Sequence, residues 1–133
     1  MDKDSPSIEQ WPRLDLDSID QIRELETVRP GLLAKLAASF EESGPRLLAQ
    51  IREALASGDS AAARAAAHAL KGTAASLGAL RLSEQARRLE HACLGTDGSD
   101  GAQAATQALA GELAETLVAL RAQTGAPDRS SAM

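Results

Sequence analysis

Residues 59–79 read DSAAARAAAHALKGTAASLGA. Alanine and leucine lose little freedom in a helix, so the stretch predicts one continuous helix. Asp59 is a natural acceptor for the free amides at its start, and Gly78 suits a left-handed stop at its end. Advancing roughly 100° per residue, this helix puts Ala61, Arg64, Ala65, Lys71, Gly72 and Ala75 within about 60° of His68. Leu70, Leu77, Ala66 and Thr73 fall on the other side, where the leucines can enter a core. His68 is therefore expected to point outward, since a buried imidazole would need partners for its polar nitrogens.

The flanking sequence extends the helical reading in both directions. Upstream, Ile19, Ile22 and Leu25 recur at helical spacing after Asp17, an expected N-cap, until Arg29 and Pro30 interrupt them. Beyond Pro30, Leu33, Leu36, Phe40, Gly44, Leu47, Ile51 and Leu55 keep steps of three or four. Their phase survives Gly44-Pro45, which predicts one long helix kinked at Pro45 and ending at Gly58. Downstream, Leu82, Ala86, Leu89 and Cys93 share a face, TDGSDG at 96–101 reads as a loop, and Leu109, Leu113, Leu117 and Leu120 mark a last helix. Short connections between long amphipathic helices predict an all-α antiparallel four-helix bundle over residues 14–123, with a short additional N-terminal helix capping one end. Residues 1–13 lack periodicity and read as a flexible tail, as do residues 124–133.

Composition narrows the function classes. The 133 residues suit one domain, and 44% hydrophobic content can build its core. A net charge of −5 argues against nucleic acid or an anionic membrane as partner, both of which call for clustered Lys and Arg. The lone Cys93 excludes an internal disulfide, and no run approaches the ~18 apolar residues of a spanning helix. With no signal-peptide pattern either, a soluble, cytoplasmic protein is expected. No outer face carries a heptad seam, so the bundle is expected to be a monomer.

The outward face of residues 59–79 carries the chemistry. An exposed imidazole is a nucleophile, and Lys71 one turn on can stabilise negative charge arriving at it. Gly72 costs the helix ~1 kcal/mol relative to alanine, a cost that makes sense where another molecule must come close. A histidine, a cation and a bare surface together suit delivery of an anion, phosphate above all, by another protein. No nucleotide-binding loop of the G-x-x-x-x-G-K-[ST] kind is present. Glu90-His91 are consecutive and diverge by about 100° on a helix, so they do not form the Glu-x-x-His pattern of di-iron bundles. Cys93 lies on an apolar face and reads as a small core residue.

A-H-x-L-K-G at 67–72, with a further glycine at 78, resembles the histidine-containing phosphotransfer (HPt) domains of two-component phosphorelays. Phe40 in the second helix, the SGD before the third, the GA after it and the Leu89-Glu90 pair also follow that family's pattern. The resemblance implies that His68 accepts a phosphoryl group, usually on Nε2, from an aspartyl phosphate on one receiver domain and passes it to another. It implies a phosphocarrier that binds no cofactor, the Mg2+ and the acceptor aspartate belonging to the receivers. The partners implied are response-regulator receivers and a hybrid histidine kinase.

Glu90 follows His68 by twenty-two positions, where family members often place Gln or Glu. It either accepts a hydrogen bond from Nδ1–H or is an ordinary solvated glutamate. Arg64 reads as a solubilising cation, with phosphate contact as the alternative. Ala61, Ala65, Gly72 and Ala75 form the low surface a receiver would cover. Two other functions fit the same bundle: a docking module that regulates a partner without phosphotransfer, and a phosphoacceptor of the chemotaxis-kinase type.

Overall fold

A computed structural model describes residues 8–95 and 99–125. Helix α1 spans Leu16–Glu24, α2 Leu32–Ala56, α3 Ser60–Ser76, α4 Leu80–Ala92 and α5 Ser99–Thr124. No strand occurs among the described residues. Helices α2 to α5 pack in a closed ring, α2 on α3, α3 on α4, α4 on α5 and α5 on α2, with α1 laid against α2. The chain is thus a four-helix bundle with a short extra N-terminal helix. None of its described helices is long and apolar enough to cross a membrane.

The core runs along the bundle axis. Phe40, Ile51, Leu70, Leu82, Leu89, Leu109 and Leu120 are at most 1% exposed, each such side chain contributing about 1.5–3 kcal/mol relative to leaving it in water. On α3 the core side is mostly alanine: Ala63, Ala66, Ala67 and Ala74 are buried beside Leu70. Such small side chains let neighbouring backbones approach, so α3 sits close between α2 and α4. Gly44 does the same between α2 and α5, since a Cβ there would lie 3.0 Å from Leu113 Cδ1. Helix α2 continues through Pro45 without interruption.

Several boundaries differ from the sequence expectation, each for a physical reason. Asp15, not Asp17, is the N-cap of α1: its carbonyl accepts from the Ile19 amide at 3.1 Å, and its carboxylate, which caps no backbone amide, accepts from the Ser18 hydroxyl at 2.7 Å. Leu25 is 55% exposed because the chain tightens there into a 3-10 turn, Leu25–Thr27, which rotates it off the Ile19–Ile22 stripe. On α2 the buried line is Leu33, Ala37, Phe40, Gly44, Leu48, Ile51 and Ala54. Leu47 and Leu55 stand at its edge and Leu36 is exposed, because the face that α2 turns to its neighbours is centred toward Ala37, Leu48 and Ala54 rather than on the line its leucines trace. Helix α5 begins at Ser99, inside the segment read as a loop, of which residues 96–98 lie outside the described residues.

The folded part also starts before residue 14. Ile8–Gln10 form a 3-10 turn against α4, Ile8 is buried, and Arg13 Nε donates to Glu112 Oε2 at 2.8 Å. Periodicity cannot register a three-residue turn whose hold is one apolar anchor and one ion pair. Of the expected tails, residues 1–7 and 126–133 lie outside the described residues.

Candidate functional site

Helix α3 is fixed at both ends. Asp59 Oδ1 accepts from the Ala62 amide at 3.0 Å, removing one unpaired donor from its first turn. At the other end Gly78 takes φ +74, and a Cβ there would come within 2.7 Å of Ser18 Cβ. The Asp15 amide donates to the Gly78 carbonyl at 2.7 Å, so the start of α1 clasps the α3–α4 turn. About two thirds of the way along α3, the Ser83 hydroxyl donates to the Lys71 carbonyl at 3.0 Å and ties α4 alongside.

This frame leaves the His68 side chain 67% exposed and brings Glu90 of α4 against it, with Nδ1 2.9 Å from Oε2. The other carboxylate oxygen, Oε1, lies 2.8 Å from Lys71 Nζ. The two groups form an ion pair at hydrogen-bonding distance. The Lys71 ammonium, foremost, and then His68 hold Glu90 below the usual carboxylate range, outweighing the burial that pushes it up. An ionised carboxylate only accepts, so Nδ1 carries the proton and, in the neutral ring, the Nε2 lone pair is left for attack.

The expected site residues fall into two groups. His68, Lys71 and Glu90 form one connected chain of contacts. Ala61, Arg64, Ala65, Gly72 and Ala75 are all exposed on the outer face of α3. Arg64 and Ala65 border a 350 Å3 depression with His68 and Glu90. Gly72 borders a shallow 610 Å3 groove on the α2 side of His68, shared with Leu36, Phe40 and Leu77. Ala61 and Ala75, about two turns from His68 on either side, line neither hollow.

Two findings go beyond the sequence reading. Lys71, expected to face an incoming phosphate, has its ammonium on Glu90. Leu36 and Ser39 of α2 help line the groove beside the histidine. Leu36 shares the periodicity of the core stripe, yet it is exposed on the rim of this groove. Gly72 has no internal justification, because a Cβ built there meets nothing within 4 Å. His91 is exposed and Cys93 packs half-buried against the core. Among the described residues no three His, Cys, Asp or Glu side chains gather as a metal site.

Together these features describe one class of protein: a four-helix bundle that carries an exposed imidazole held by a carboxylate of the neighbouring helix. The Hpt domain family model matches residues 35–123, more than half of the chain, and the chain belongs to that family. No curated protein and no solved structure matches it. It is therefore a histidine phosphotransfer module of the kind that serves in phosphorelays, where Hpt domains act as phosphocarriers toward receiver domains and kinases.

Proposed function

We propose that His68 is the phosphoacceptor and that the domain shuttles a phosphoryl group between aspartates of receiver domains. The observation that carries this reading is the 2.9 Å contact between Nδ1 and Glu90 on a ring that is 67% exposed. In the accepting step the Nε2 lone pair attacks phosphorus and the bond from phosphorus to the receiver aspartyl oxygen breaks, returning a free carboxylate. The Nδ1 proton stays on the ring, and the positive charge that develops on the imidazole is balanced by Glu90. Passing the group to a second aspartate reverses these events. The receiver brings the Mg2+; this chain contributes a positioned nucleophile.

Approach is favoured by the surroundings of the ring. Gly72 keeps one flank bare, and exposed Leu36 offers apolar surface in the groove beside the ring, whose floor is closed by buried Phe40 and Leu77. Arg64 and Ala65 border the other flank. Incubation with phosphorylated receivers from the same source should label the wild type and leave His68→Gln unlabelled. Equal absence of label across a broad receiver panel would overturn the reading, as would equal labelling of both proteins.

A further inference from the structure

The chain has one tryptophan, one phenylalanine and no tyrosine, and each aromatic lines a hollow that a residue of the His68 helix also lines. Phe40 lies in the groove beside His68. Trp11 lies upstream of the family match at 35–123 and lines a separate 320 Å3 depression with Lys71, Leu80, Ser83, Glu84 and Arg87. The segment bearing it is pinned on both sides. Ile8 is 4% exposed, Arg13 pairs with the largely buried Glu112, and the Asp15 amide donates to Gly78. These anchors hold a half-buried indole at the edge of the hollow that Lys71 also borders.

A lysine stem has many rotamers, and a wall beside it removes some of them. Here the end of that stem matters, because Lys71 Nζ meets Glu90 Oε1 at 2.8 Å while Glu90 Oε2 meets His68 Nδ1 at 2.9 Å. We propose that Trp11 is a positioning residue of the transfer site: the N-terminal arm folds its indole against the hollow beside Lys71 and keeps the ammonium on Glu90, and through Glu90 it steadies the imidazole. This rests on His68 being the phosphoacceptor. It adds a segment that the family match does not include.

The test uses the full chain with Trp11→Ala and Trp11→Phe. Glu90 is the reporter, since Lys71 is the main cause of its depressed titration; His68 of α3 and Arg87 of α4 are the other charged groups coupled to it. In Trp11→Ala, carbon-13 NMR should show the Glu90 carboxyl titrating closer to an ordinary glutamate. Phosphoryl acceptance from a phosphorylated receiver should slow roughly three- to tenfold, the effect of freeing one rotamer-rich side chain. Trp11→Phe should restore both. If Trp11→Ala does not fold, the same comparison in Trp11→Leu decides the matter. A labelled wild type whose Glu90 titration is unmoved by loss of the indole overturns the role of Trp11 alone. An unlabelled wild type overturns the phosphoacceptor reading itself.

Discussion

Substituting Gly72 separates what the helix wants from what the site needs. Gly72 lies inside α3, is exposed, and has nothing within 4 Å of where a Cβ would stand. Gly72→Ala should therefore stabilise the bundle by about 0.5–1 kcal/mol, through higher helix propensity and a less flexible unfolded chain. For a domain of this size that raises Tm by about 2–4 °C. Gly72→Gln should gain nearly as much, since glutamine is also a good helix former. Transfer should move the opposite way. Position 72 is one turn beyond His68 on the same face, so a long side chain there occupies the space through which, in the proposed function, an aspartyl phosphate would reach Nε2. A misplacement of about 1 Å in such a step costs up to ~100-fold in rate. We expect at least a tenfold slowing in Gly72→Gln and a smaller one in Gly72→Ala. Quench-flow of phosphoryl transfer from a phosphorylated receiver, with thermal unfolding of the same preparations, measures both effects. Wild-type transfer in Gly72→Gln would refute the argument, as would a loss of stability in Gly72→Ala.

Three further outcomes follow from the same geometry. Glu90→Ala removes the acceptor on Nδ1 and leaves Lys71 without its partner, so acceptance should slow about 10- to 100-fold while the circular dichroism spectrum stays helical; an unchanged rate would remove Glu90 from the site. Gly78→Ala should cost about 2 kcal/mol or more, because φ +74 is unfavourable for alanine and the new methyl would lie 2.7 Å from Ser18 Cβ; urea unfolding with an unchanged midpoint would contradict this. Glu90 has its folded pKa below the ordinary 4.5. Its contribution to stability is therefore complete above the unfolded value and lost as pH falls through the folded one. The difference in Tm between wild type and Glu90→Gln should accordingly be largest near neutrality and shrink as pH drops below about 4.

Much of this site was legible because helical geometry is local. The facing of His68 and Gly72 follows from a residue count between Asp59 and Gly78, and those two ends are where the structure puts the cap and the left-handed turn. Glu90 is a candidate in the sequence because it follows His68 by twenty-two positions, where members of the family it resembles often place Gln or Glu, and an ordinary solvated glutamate is the equal alternative until the structure sets its Oε2 on Nδ1. Its pairing with Lys71 was not legible, since which of two nearby partners an ammonium takes depends on side-chain rotamers that spacing does not set. Leu36 shows the same limit at the level of packing. Its periodicity is that of a core residue, and only the position of α2 between α3 and α5 turns it to the rim of the groove. The arm around Trp11 escaped because it is held by a buried isoleucine, an ion pair and a backbone hydrogen bond to distant helices, none of which leaves a repeating pattern.

The most direct test of the account is nitrogen-15 NMR of the His68 ring before and after reaction with a phosphorylated receiver. Before reaction the neutral ring should carry its proton on Nδ1, with Nε2 bare, and afterwards phosphorus should be bonded to Nε2. A proton on Nε2 in the resting ring, or phosphorus on Nδ1 or on any other residue, would contradict the arrangement in which Glu90 holds one nitrogen so that the other can react.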